Sequence, residues 1–170
     1  MLHGQRIFLG PLTPDDAVIM FRWSNDPDLV HLNAAYRPVD WMNHHGWFQG
    51  IGNDPSKVIF AIRRIAESRF VGFVELRSIH PVFRSAEIGL QIGEVADRRQ
   101  GFGAEALELA LRYCWNDLNL ERVSLSVFGD NLPAIRLYEK AGFQHEGTLR
   151  GAVYVDGRRV DLKIMATLRQ

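Results

Sequence analysis

Ser85-Ala86-Glu87-Ile88-Gly89-Leu90-Gln91-Ile92-Gly93, then four residues later Arg98-Arg99-Gln100-Gly101-Phe102-Gly103-Ala104, is the stretch that decides how the rest of the chain is read. Residues 86–92 read as a strand, an irregular turn follows, and a helix runs from the second glycine to about Asn116. Leu107, Ala110, Leu111, Cys114 and Leu118 recur at helical spacing, with Glu105, Glu108 and Arg112 between them. Gly101 and Gly103 stand where loop becomes helix. Glycine allows a sharp turn and close approach of a ligand to the backbone. The first amides of a helix lack internal partners, and the helix dipole adds partial positive charge there. A glycine-lined helix start beside Arg98 and Arg99 therefore suits a phosphate or pyrophosphate.

Two well-known phosphate loops do not fit. The mononucleotide loop needs a longer glycine spacing followed by Lys-Ser/Thr, which is absent. The dinucleotide fingerprint needs a third glycine where Glu105 or Ala106 stands. Neither ATP nor NAD is the expected ligand.

The stretch resembles the acetyl-CoA loop of the GNAT superfamily of N-acetyltransferases, which reads Arg/Gln-x-x-Gly-x-Gly/Ala at the start of a helix that follows a strand. Arg98-x-x-Gly101-x-Gly103 fits each fixed position. Downstream, Asn131-Leu132-Pro133-Ala134-Ile135-Arg136-Leu137-Tyr138-Glu139-Lys140-Ala141-Gly142-Phe143 is similar to that family's Asn-x-x-Ala-x-x-x-Tyr-x-x-x-Gly-Phe segment. The two motifs come in the family's order with a strand between them.

Composition sets the frame. The chain has 170 residues, 46% hydrophobic and 24% charged, which suits one domain with a sizeable core. Twenty basic and twenty acidic residues balance, so overall charge points to neither nucleic acid nor an anionic membrane. No apolar run is long enough to span a bilayer, and no basic-then-apolar leader opens the chain. A cytoplasmic enzyme is expected. Cys114 is the only cysteine, and its place on the apolar stripe reads as core rather than nucleophile.

In chain order, residues 6–11 alternate as a first strand, and Thr13-Pro14-Asp15-Asp16 opens a helix ending near Trp23. Residues 24–38 are turn-rich, and a second helix is expected over 39–50. Strands over 58–65 and 70–79 flank a hairpin turn, and strands over 86–92 and 122–128 bracket the glycine loop and its helix. A short helix over 133–141 follows, then two strands, 143–154 and 159–168, joined at Asp156-Gly157. The expected fold is α/β of the α+β type. One GNAT-like domain spans residues 1–170, with a mixed, mostly antiparallel sheet of about seven strands, splayed at the middle and flanked by about four helices.

Acetyl transfer from a thioester to an amine has four needs: an anchored donor, a polarised carbonyl, a neutral attacking amine and a protonated leaving thiolate. The resemblance assigns the anchor to Arg98, Arg99, Gln100, Gly101, Phe102, Gly103 and Ala104, mostly through main-chain amides. For both arginines, solvated surface charge is the alternative. The resemblance places the pantetheine arm of acetyl-CoA along Leu90, Gln91 and Ile92, where the strand parts from its parallel neighbour and an amide polarises the carbonyl. It makes Tyr138 the general acid and Asn131 a cofactor contact; a packed aromatic and a capping asparagine are the alternatives. Glu87 is the expected base, against a surface glutamate in a salt link. Glu75 is the runner-up, able instead to bind a cationic substrate.

The acceptor amine stays open at this stage. Trp41, with Trp47 and Phe48, forms either an apolar substrate wall or the packed face of its helix. His44 and His45 point about 100° apart on a helix and read as surface or substrate-rim residues, so no metal site is expected. The branch resembled holds ribosomal-protein alanine and spermidine acetyltransferases. The implied acceptor is a small amine or polyamine, with a peptide N-terminus or an amino sugar or antibiotic as alternatives. A possible homodimer and an acetyl-CoA sensor without turnover complete the expectations.

Overall fold

A computed structural model describes residues 1–30 and 37–170. Eight strands follow the order β1-β2-β3-β4-β5-β6-β8-β7 in one open, mostly antiparallel sheet. They are β1 (Leu2–His3), β2 (Ile7–Gly10), β3 (Val58–Arg64), β4 (Phe70–His80), β5 (Ser85–Ile92), β6 (Arg122–Phe128), β7 (Gln144–Val155) and β8 (Arg158–Leu168). The α-helices of the described residues are α1 (Pro14–Ser24), α2 (Pro27–Val30), α3 (Trp41–Gly50), α4 (Phe102–Asn116) and α5 (Leu132–Lys140). The chain folds as two compact units, the first made of 1–12, 51–124 and 167–170, the second of 13–50 and 125–166.

The expected architecture holds, with two short additions. Among the described residues the sheet has eight strands against the about seven expected, because Leu2 and His3 pair back onto Leu9 and Phe8, a two-residue addition too short to leave a periodic signal. Among the described residues the α-helices number five against the about four expected, because a single turn, α2, forms inside the stretch read as turn-rich. Residues 31–36 of that stretch lie outside the described residues.

In the first unit β2, β3, β4 and β5 form an antiparallel meander. Ile7, Leu9, Ala61, Ile62, Val71, Val74 and Leu76 from these strands are fully buried. Helix α4 covers one face: the Tyr113 ring meets Phe60 edge-on at 5.0 Å. Its buried stripe, Leu107, Ala110, Leu111 and Cys114, is the one the sequence spacing predicts. Gly72 has a steric reason, since a Cβ there would lie 2.1 Å from the Gln91 carbonyl oxygen of β5.

In the second unit α1 starts as its sequence implies. The Asp16 carboxylate accepts both the Thr13 backbone N–H (2.7 Å) and the Thr13 hydroxyl (3.0 Å). Helix α3 starts at Trp41, two residues later than expected. The Asn25 side chain takes both backbone groups of Val39, at 2.9 and 3.0 Å, and Asp40 caps by accepting the Asn43 N–H at 3.0 Å. Asp156 and Gly157, both left-handed (φ 49° and 77°), close the β7–β8 hairpin. Phe143 stays outside β7 because its N–H is taken by the Tyr138 carbonyl at 3.0 Å, as the chain leaves α5.

Candidate functional site

Strand β5 pairs antiparallel with β4 and parallel with β6. Against β4 its ladder runs from Ser85 to Ile92. Against β6 the parallel register comprises Ser85–Arg122, Ala86–Val123 and Glu87–Ser124. An extended strand carries backbone N–H and C=O groups that can pair with another extended chain. Leu90, Gln91 and Ile92 are each half-buried on this segment.

From there the chain makes a 3-10 turn over Val95–Asp97 and enters α4 through two left-handed residues, Arg99 (φ 59°) and Gly101 (φ 82°). Gly101 is the residue before the first helical turn, so the free amides of α4 begin immediately after it. Gln100, Gly101 and Ala104 are exposed and Gly103 is half-buried, whereas Phe102 is turned inward. The guanidinium groups of Arg6 and Arg64 stand 5.5 and 5.7 Å from the Phe102 ring centroid.

The loop is braced by residues with no local sequence signal. Asp97, 5% exposed, accepts two bonds from Arg69 at 2.6 and 2.8 Å. Arg6 donates to the Gln100 carbonyl at 2.7 Å. Glu105, in the first turn of α4, accepts the Arg6 backbone N–H at 2.8 Å and the Arg6 Nε at 3.2 Å. Burial alone would raise the Glu105 pKa, but the amides of Arg6, Ile7 and Gln5 with the Arg6 side chain hold it below the usual carboxylate range. Arg98 donates to the Gly93 carbonyl at 2.7 Å, spanning the loop it belongs to. Arg99 is exposed. Of the two arginines, Arg98 thus has a structural partner within the loop.

The two carboxylates expected to act on the acceptor sit on the sheet face opposite α4. Residues paired across a ladder share a face. Phe60, Val74 and Leu90 lie on the α4 side, and Ile59, Glu75, Gly89, Arg77 and Glu87 lie on the other. There Glu87 Oε2 accepts from Arg77 Nε at 3.0 Å, and Glu75 Oε2 lies 3.7 Å from Arg77 Nη1. The salt link foreseen as an alternative for Glu87 therefore exists, and it includes Glu75.

Tyr138, Asn131 and Trp41 belong to the second unit. Tyr138 is buried on α5, with its ring 5.7 Å from Phe143. Asn131 caps α5, accepting the Ala134 N–H at 3.3 Å through its side chain. Trp41 is 38% exposed and meets Phe21 edge-on at 5.3 Å. Met42 and Trp47 are also exposed, so α3 does not turn its large apolar residues into a core. His44 corrects the expectation of a surface or rim residue: it is buried among Phe21, Trp41 and Trp47 and bonds the Ala17 carbonyl through Nε2 at 2.8 Å. In the first unit, burial pushes the Cys114 thiol up to about 12, in keeping with a packing role. Among the described residues no group of three or more His, Cys, Asp or Glu could hold a metal, and no helix is long and apolar enough to cross a membrane.

A strand running into a glycine turn and an exposed helix start is the arrangement that the resemblance to the GNAT superfamily implies. Comparison with known proteins agrees. The family described as "Acetyltransferase (GNAT) domain" matches residues 6–144. A putative phosphinothricin acetyltransferase of Bacillus subtilis is 39% identical over 79% of this chain and 81% of its own length. An uncharacterized N-acetyltransferase of the same organism is 26% identical over 99% and 97%. The crystal structure of spermidine N-acetyltransferase from Vibrio cholerae in complex with CoA and spermine superposes with a TM-score of 0.90 at 26% identity, covering 96% of this chain and 95% of that one. That Vibrio enzyme also has a dodecameric structure. The chain belongs to the GNAT acetyltransferase family and is an N-acetyltransferase.

Proposed function

We propose that residues 1–170 act as one catalytic domain that moves the acetyl group of acetyl-CoA onto a primary amine by direct attack in a ternary complex. The acceptor is a small amine or polyamine. The observation that carries this reading is the run from β5 through left-handed Gly101 into the exposed start of α4. In this reading the amides of 101–104 bind the coenzyme diphosphate, Arg99 adds charge from the rim, and the pantetheine arm pairs along Leu90, Gln91 and Ile92.

The chemistry follows from that placement. The amine nitrogen attacks the thioester carbonyl, whose oxygen gains charge and is stabilised by a backbone N–H of β5. The C–S bond then breaks. Tyr138 gives its phenolic proton to the departing thiolate, and Glu87 receives the proton lost by the amine through water. Asn131 acts by fixing the start of α5, the helix that carries Tyr138. Glu75 supplies charge for the ammonium form of the acceptor. Trp41 offers an apolar wall, supported by its exposure on α3. The reaction as written needs no metal. The enzyme works in the cytoplasm, where acetyl-CoA is made and spent, and as an assembly of identical chains, a homodimer or larger, for which the oligomeric Vibrio relative is the support.

The test is an amine panel with acetyl-CoA, monitored for free thiol. Turnover with a primary amine, and an acetylated product of the matching mass, is expected. Thiol release that no amine accelerates would contradict the proposal.

A further inference from the structure

Arg6 has no part in the chemistry above, yet its guanidinium meets the glycine turn at several points. Nη1 donates to the Gln100 carbonyl at 2.7 Å. Nε donates to Glu105 Oε2, in the first turn of α4, at 3.2 Å. Cζ stands 5.5 Å from the Phe102 ring centroid. The group also fills the space beside Gly101, where a Cβ would lie 2.6 Å from Nη2. Glu105 holds the other end of the clip by accepting the Arg6 backbone N–H at 2.8 Å. The Gln100–Gly101 peptide is trans, so its carbonyl and its N–H point in opposite directions. With the carbonyl held by Arg6, the Gly101 N–H is directed to the side of the turn away from the guanidinium.

We infer that Arg6 is a positioning residue for the coenzyme. It holds the Gln100–Gly101 peptide in the orientation that offers the Gly101 N–H to the diphosphate. The inference rests on the reading above that the amides of 101–104 bind that diphosphate, and it names the side chain that sets the turn for it. A peptide beside glycine can turn over at little steric cost, because glycine accepts either sign of φ. Turned over, it would present a carbonyl oxygen to an anion in place of an N–H. A charge-assisted bond to the carbonyl selects the productive orientation before the coenzyme arrives. It also polarises the amide, which makes the N–H a stronger donor. Lysine cannot replace this group, since a planar fork is needed to bond Gln100 and Glu105 at once while lying against Phe102. The Arg6 side chain is 53% exposed, so its ion pair adds little to folding stability. A role in binding can therefore be read apart from a role in folding.

The test is calorimetric titration of the full chain with three ligands: CoA, dephospho-CoA, which keeps the diphosphate but lacks the 3′-phosphate, and pantetheine, which lacks both. Arg6→Met is expected to weaken CoA and dephospho-CoA alike, by about tenfold or more. The melting temperature and the KM for the amine should stay close to wild type; a purely structural arginine would move both. Arg6→Lys, which keeps the charge without the fork, is expected to lose nearly as much. Arg64 stands 5.7 Å from the same Phe102 ring and pairs with Glu67 at 3.2 Å, so Arg64→Met removes a nearby cation but no bond to Gln100 and should bind CoA as wild type does. Arg6→Leu repeats the measurement in case the Met variant does not fold. Wild-type affinity in the neutral Arg6 variants, full rescue by lysine, an equal loss in Arg64→Met, or a loss seen with CoA but not with dephospho-CoA overturns the inference. Pantetheine separates the two levels. If the wild-type protein binds it as tightly as CoA, the diphosphate reading falls and the inference with it. If pantetheine binds far more weakly while Arg6→Met leaves CoA affinity unmoved, only the inference falls.

Discussion

Tyr138 shows how far a side chain can be assigned a task from where its helix puts it. It is buried on α5 against Phe143, and the cap on that helix is Asn131. A buried tyrosine adds aromatic area to a core, and Phe supplies nearly the same area. Tyr138→Phe is therefore expected to leave the melting temperature and acetyl-CoA affinity close to wild type while cutting kcat by roughly 10²-fold or more. Full activity would remove Tyr138 from the chemistry. Glu87 differs, because it is half exposed and bonded to Arg77. Glu87→Gln keeps the shape and can still accept from Arg77, but it cannot take up a proton. Steady-state rates should fall by roughly 10²-fold at saturating amine; equal rates would pass the role to Glu75. Such residues are legible in a sequence only as types at motif positions. Their partners are not: Arg77 becomes the neighbour of Glu87 through a ladder register, and a register is a property of two strands at once.

At the scale of elements, α4 is the clearest case of a sequence that states its structure. Its apolar spacing and Gly101 mark both the buried stripe and the start. What holds that start in place is illegible locally. Glu105 reads as a surface carboxylate between apolar positions, yet it gathers backbone amides from the β1–β2 turn about 100 residues away in sequence. Its depressed pKa has a consequence for stability. A carboxyl whose folded pKa is lowered stabilises the fold above its unfolded value and loses that contribution as pH falls through the folded value. Glu105→Gln is thus expected to cost about 1–3 kcal/mol near neutral pH, since charge-assisted bonds at a part-buried site are lost. In urea titrations the gap to wild type should narrow once the pH drops below the ordinary carboxylate range. A gap that stays constant into acid would show that packing, not charge, carries the effect. The loop itself is tested by Gly103→Glu, which puts a long anionic side chain at the helix mouth. Cooperative thermal unfolding should persist while acetyl-CoA binding, followed by calorimetry, is abolished; wild-type affinity in a folded variant would clear the loop of any part in binding. The short elements were the hardest to foresee. Strand β1 has two residues and α2 four, lengths at which periodicity carries no information and long-range pairing or capping decides.

The molecule as a whole is electrically balanced, so attraction for a polyanionic coenzyme has to be local rather than global. On the proposed reading the glycine turn, the helix start and the Arg99 rim concentrate it in one segment of the first unit, and β5 leads directly into that segment. This is why the donor side of the reaction could be read from contiguous sequence. The acceptor side could not: the residues proposed for it, Glu75, Glu87 and Trp41, are single residues on separate elements rather than a contiguous motif. The most direct measurement is a crystal structure of this protein with coenzyme A bound. The diphosphate oxygens are expected about 2.7–3.2 Å from backbone nitrogens of residues 101–104, with the pantetheine arm extended along 90–92. A diphosphate seated elsewhere, with these amides left to water, would contradict the account.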